Sequence, residues 1–91
     1  MDGQKLELTD DVIEAINEEL AYQASIAGTG RADTNDHGLP GQLVSLDCYT
    51  RKAIDDWTGM AGKEPSLHQV RKVAAIAVRA LIRFGCPRRE Q

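Results

Sequence analysis

The sequence predicts an all-α fold, a three-helix bundle in which helix one packs on an antiparallel hairpin made by the other two. Three observations predict it. The stretch 65–85, PSLHQVRKVAAIAVRALIRFG, repeats apolar residues at steps of three and four. Stretches 10–27 and 41–58 carry the same period. Only MAGKE separates the second stretch from the third, and a link that short returns the chain antiparallel.

The third stretch predicts a helix over 66–84. Pro65 ends whatever precedes it, Ser66 caps the first free N–H groups, and Gln69 completes a capping box. Leu67, Val70, Val73, Ala74, Ala77, Leu81 and Phe84 form one apolar face, read here as the core face. Gly85 stops the helix, with Pro87 just beyond. Lys72, Arg79 and Arg83 give this helix a basic edge, and Arg83 suits the C-terminal end of its dipole.

The first stretch predicts a helix over 10–27, after a tail at 1–8. Thr9 is a good N-cap, Asp10 and Asp11 favour the first turn, and Leu8 with Ile13 has the spacing of a hydrophobic staple. Val12, Ile13, Ile16, Leu20 and Ala24 make the apolar stripe. Glu14, Glu18 and Glu19 lie beside it, with Tyr22 and Gln23 one turn further on.

Residues 28–40 read as a long loop, rich in Gly, Asp and Asn, that serves as a solvated connector. It holds Arg31, a candidate for phosphate, but no P-loop pattern. Pro40 then suits the first turn of a helix over 41–58. Its stripe is Leu43, Leu46, Thr50, Ala53 and Trp57 with Ile54 beside it, and Gly59 closes it. Residues 86–91 form a tail. Three such helices are too thin to hide Leu46, Tyr49, Trp57, Ile76 and Ile82, so homo-oligomerisation is the expected remedy.

At 91 residues and 10.0 kDa the chain, 1–91, makes one helical domain. Its formal charge of −3 is unevenly spread. Residues 1–47 hold ten acids against Lys5 and Arg31, a net −8, while 48–91 hold nine bases against four acids, a net +5. The acidic total disfavours general nucleic-acid binding, and the opposed halves suit attraction within or between chains. Cys48 and Cys86 make no disulfide framework. The N-terminus lacks the apolar core of a signal peptide, and Arg79 breaks the longest apolar run. These readings place the protein in a reducing cytoplasm, away from membranes, with both thiols free.

Candidate chemistry is sparse. Glu14 and Glu18 stand four apart on one helix and, with Asp47, are the weak candidates for a metal such as Mg²⁺. Acidic pairs at this spacing more often mark a solvated face. Asp55 and Asp56 are offset by Arg51 and Lys52 one turn away. Asp33, Asp36 and His37 complete no zinc pattern, His68 reads as a surface residue, and Cys48 as a small buried hydrophobe. Tyr22, Tyr49 and Trp57 are candidates for stacking on a base and Gln23 for hydrogen bonding to it, although aromatics at helical spacing are more often core.

The order of elements carries a resemblance. A first helix with EExxxQ (Glu18, Glu19, Gln23) precedes a polar loop holding Asp36, His37 and Gly38. A helix LxxLDxYxRKAxxxW follows, and then one with VRKVAAIAV. This pattern, over about residues 10–85, resembles small, often phage-encoded helical proteins related to the MazG-like nucleoside triphosphate pyrophosphohydrolases. In those hydrolases ExxE on one helix and ExxD on the next hold Mg²⁺. Here the second helix offers Asp47 followed by Thr50, and the last has Val70, Arg71, Lys72, Val73, Ala74 and Ala75, without an acid. Two-metal phosphoryl chemistry needs several carboxylates, whereas cationic side chains grip phosphate directly.

The resemblance therefore implies a non-catalytic, phage-type helical homo-oligomer that sequesters a small nucleotide and needs no cofactor. Tyr22, Tyr49 and Trp57 would meet the base, and Arg31, Lys72 and Arg79 the phosphates, with Gln23 and Asp47 as further ligand candidates. The alternatives are a weak Mg²⁺-dependent pyrophosphohydrolase using Glu14, Glu18 and Asp47, and a small partner-binding or inhibitor protein presenting its acidic first helix to a basic surface.

Overall fold

The computed structural model describes residues 6–26 and 38–89, which form three helices and no strand. They are α1, Asp10–Ile26; α2, Gly38–Thr58; and α3, Lys63–Phe84.

Helix α1 begins where its signals place it. Thr9 Oγ1 accepts the Val12 N–H at 3.3 Å, the N-cap bond, while Asp10 and Asp11 occupy the first turn. Ala27, the last residue expected in this helix, lies outside the described residues. Leu8 is 71% exposed and Ile13 41%, so the staple pair stays open to solvent.

Helix α2 starts three residues earlier than expected, at Gly38 with φ +68°. Pro40 sits in its first turn, where a helix leaves its N–H groups without partners and a proline forfeits nothing. The end of the expected loop is therefore helix. Residues 28–37 of that loop, with Arg31, Asp33, Asp36 and His37, lie outside the described residues.

Helix α2 closes one residue beyond Gly59. Met60 takes the left-handed conformation at φ 65°. Its N–H bonds to the Trp57 carbonyl at 3.1 Å, and Ala61 N–H bonds to the Asp56 carbonyl at 2.9 Å. These two bonds are the Schellman pattern that satisfies the last free carbonyls.

Helix α3 starts at Lys63, behind Gly62 (φ 106°, ψ 179°), so Pro65 rides inside the first turn rather than preceding the helix. Ser66 does not cap: it is buried, and its hydroxyl donates back to the Gly62 carbonyl at 3.0 Å. At the other end Gly85, at φ 115°, donates its N–H to the Leu81 carbonyl as a stop.

Helix α3 is central. Helices α1 and α2 each pack on it and, among the described residues, not on each other. Arg79 meets Gln42 while Lys72 meets Tyr49, so numbers fall on α3 as they rise on α2: the hairpin is antiparallel. Glu19 meets Arg71 and Gln23 meets Arg79, so α1 runs parallel to α3. The shortest extent of the chain is 22 Å, about two helix diameters.

The interior differs from the expected one. Ala75 and Ile76 are the buried apolar residues among those described, whereas Glu19, Gln23, Gln42, Ser45 and Ser66 are buried polar ones. On α2 the inward positions are Gln42, Ser45, Tyr49, Ala53 and Asp56, while Leu43, Ile54 and Trp57 face outward and Leu46 is half-buried. On α1 Val12, Ile13 and Ala24 are exposed. On α3 the face read as core is open: Leu67, Val70, Leu81 and Phe84 are all exposed. The three helices meet across polar and small side chains.

Candidate functional site

That meeting surface is a hydrogen-bonded seam. Arg79 donates from Nε and Nη2 to Gln42 Oε1 at 3.1 and 2.8 Å, and from Nη1 to Gln23 Oε1 at 3.0 Å. Gln23 Nε2 donates to Glu19 Oε2 at 3.2 Å. Glu19 Oε1 accepts from Arg71 Nε at 3.0 Å, and Arg71 Nη1 reaches His68 Nδ1. The Glu19 side chain is 7% exposed, and a carboxylate that far from water needs a charged or multiply bonded partner. Burial, with the neighbouring Arg83 adding to it, lowers the Arg79 guanidinium from its ordinary pKa. Arg79 joins all three helices.

A second cluster lies on the hairpin. Lys52 Nζ stands 4.6 Å from the centre of the Tyr49 ring and Lys72 Nζ 5.6 Å from it. Among the described residues neither ammonium has a carboxylate within ion-pair distance. The register that sets Gln42 against Arg79 and Tyr49 against Lys72 sets Lys52 level with Gln69. The Oε1 atom of Gln69 is buried and has no hydrogen-bond partner. One patch of the α2–α3 hairpin thus combines two cations, an aromatic ring and an unused acceptor.

The structure sorts the candidates. Tyr49 and Lys72 come together, and so do Gln23 and Arg79, although the latter two serve the seam. Tyr22 and Trp57 are 49% and 62% exposed, and neither joins the cluster. Asp47 faces solvent and accepts Arg51 Nε at 3.0 Å, an interaction that raises the Arg51 pKa. Arg83 lies over the Phe84 ring. Glu19 pairs with Arg71, which is not part of the basic edge. Cys48 is exposed rather than buried, and His68 is exposed as expected.

Gln42, Arg71, Lys52 and Gln69 escaped the reading of apolar periodicity. The signal that marks Gln42 is the second stripe on its helix, Gln42, Ser45, Tyr49, Ala53 and Asp56, also at steps of three and four.

The acids do not fit a Mg²⁺ site. Glu14 and Glu18 lie in a shallow groove of α1 with Asp10 and Asn17, whereas Asp47 is on α2, which α1 does not touch. Glu19 is held by Arg71 and Gln23. Among the described residues no three of His, Cys, Asp or Glu stand together as metal ligands. No helix there is long and apolar enough to cross a membrane. No protein-family model matches the chain, and no curated protein or solved structure matches it.

Proposed function

We propose that this protein is a non-catalytic, phage-type helical oligomer of the cytoplasm that binds and sequesters a small nucleotide. The observation that carries the reading is Tyr49 flanked by Lys52 and Lys72, two ammonium groups without carboxylate partners among the described residues. Lysine ammonium groups attract phosphate as compact charges. Once drawn to a phosphate they leave the Tyr49 face open to a base. Calorimetric titration with a panel of linear and cyclic nucleotides tests this. Binding that weakens at least tenfold in Tyr49→Ala and Lys72→Ala, about 1.4 kcal/mol each, is the expected result. No binding by the unmutated protein ends the reading.

A second reading rests on α1, where Asp10, Asp11, Glu14 and Glu18 are all exposed. That row suits a partner or inhibited protein with a basic surface. Salt-sensitive capture of such a partner, lost in a Glu14→Lys, Glu18→Lys variant while nucleotides leave it unchanged, separates it from the first. The weak pyrophosphohydrolase of MazG-like type is less supported, because its acids are dispersed. Mg²⁺-dependent turnover abolished by Glu18→Gln or Asp47→Asn would promote it.

A further inference from the structure

The apolar residues of α3 repeat more strictly than a core helix requires. Leu67, Val70, Ala74, Ala77, Leu81 and Phe84 follow steps of 3, 4, 3, 4 and 3, the seam of a coiled coil. At 1.5 Å per residue that seam is about 26 Å long. It opens to solvent between grooves shared with α1 and α2: Leu67 is 53% exposed, Val70 48%, Leu81 44% and Phe84 45%, with Ala74 and Ala77 half-buried. Lys72 and Arg79 lie on the opposite side of the helix, toward α2 and the seam of hydrogen bonds.

We infer that this face of α3 docks on the same face of a second copy of the chain, antiparallel and about a two-fold axis. The inference deepens the oligomeric part of the proposed function and does not depend on its nucleotide part.

Three observations favour a second copy as the occupant. The first is spacing. With the axis between positions 74 and 77, Ala74 faces the partner's Ala77, Val70 the partner's Leu81, and Leu67 the partner's Phe84. Small residues then meet at the crossing, where helices approach closest, and large ones fill the ends.

The second is the flanks. Val12 and Ile16 of α1 border the Leu67 end of the seam, and Leu39 and Leu43 of α2 border its Phe84 end. An antiparallel mate brings its Phe84 end to the α1 groove, twice over by symmetry. Charge agrees: Asp10, Asp11 and Glu64 outnumber Lys63 at one end, Arg88 and Arg89 lie at the other, and all are exposed. The antiparallel arrangement sets opposite charges together, whereas the parallel one stacks like on like.

The third is exposure. Besides the four exposed seam residues, Val12 is 45% exposed, Leu39 41% and Leu43 55%, so large apolar side chains of all three helices lie open along one face. A contiguous exposed apolar surface of that kind marks an interaction site.

The experiment uses the full chain with Cys48→Ser and Cys86→Ser. Sedimentation equilibrium at tens of micromolar, roughly the range of micromolar association, is expected to give twice 10.0 kDa or a multiple of that dimer. Ala77→Glu places two carboxylates at the crossing and is expected to yield a monomer of unchanged helical circular dichroism. Should that variant lose its helicity, cross-linking decides. Leu67→Cys and Phe84→Cys proteins, mixed and oxidised, are expected to form the mixed disulfide. A monomeric unmutated protein, a dimer untouched by Ala77→Glu, or Leu67→Cys linking only to itself would each overturn the proposal.

Discussion

Arg79 directs two of its N–H groups at a single acceptor, Gln42 Oε1, at 3.1 and 2.8 Å, and Gln42 has no exposure to solvent. A guanidinium keeps its charge in almost any setting, so its partial burial is tolerable only while the fork is occupied. The amide of Gln42 fixes the spacing of α2 from α3, and the third N–H of the fork holds Gln23 of α1.

Gln42→Leu keeps the volume and removes the acceptor of two guanidinium N–H groups. The expected loss is about 2 kcal/mol, as for other hydrogen bonds to charged groups. That is a Tm about 10 °C lower for a domain of this size. Gln42→Glu, which restores an acceptor, is expected to recover most of it. Thermal denaturation of both variants at one protein concentration checks this, and a Gln42→Leu protein as stable as the parent would show that the seam is not needed.

Arg71 and Glu19 make the corresponding link between α3 and α1, with side chains 33% and 7% exposed. Arg71→Leu leaves the carboxylate buried without its cation. A loss of about 3 kcal/mol is expected, at the lower end for a broken buried pair because Arg71 still touches water. Glu19→Gln, which still accepts from Arg71, is expected to lose less. Asp47 and Arg51, both largely exposed, are the control. Asp47→Ala is expected to leave Tm unchanged, as surface pairs usually do.

Met60 gives a prediction of opposite sign. It occupies the left-handed cap position at φ 65° and is 89% exposed, so its side chain contributes no packing that its backbone conformation requires. Met60→Gly is expected to stabilise the hairpin by about 1 kcal/mol, the usual penalty of an L-residue in that region. Chemical denaturation reads this as a higher midpoint with an unchanged slope.

These residues show which parts of the chain its sequence made legible. Helix ends at Thr9 and Gly85 were readable because their chemistry is local: a hydroxyl accepting a nearby N–H, and a glycine at positive φ. The prolines misplaced the other starts by three residues, since a first helical turn accepts proline as readily as a preceding loop does. Apolar periodicity found the faces that need covering, Leu67 to Phe84 above all, but it cannot say whether the cover lies in the same chain. The inner contacts run through Gln42, Ser45, Gln23 and Arg79, whose polar side chains leave no mark on a hydrophobic pattern. Lys72 and Tyr49 were each identifiable as candidates, but Lys52 becomes their companion only through the antiparallel register.

Lys72 and Arg79 looked equivalent as members of one basic edge, seven residues apart, and the structure separates them. Arg79 is engaged by Gln42 and Gln23 and holds three helices together. Lys72 touches the Tyr49 ring at 5.6 Å and has no carboxylate partner among the described residues. A long-range cation–π contact of this kind contributes about 0.5 kcal/mol at a partly exposed site. Lys72→Ala is therefore expected to shift Tm by no more than about 3 °C, whereas Arg79→Ala, which removes the donor from two buried amide oxygens, is expected to lower it by about 10 °C. If the hairpin patch binds a nucleotide, the order reverses for affinity: Lys72→Ala weakens it at least tenfold, and Arg79→Ala weakens it only as far as the fold loosens. The two orders are independent readouts. Calorimetry and thermal denaturation on the same preparations measure both, and a Lys72→Ala protein with lower stability but undiminished nucleotide affinity would assign Lys72 to the scaffold instead.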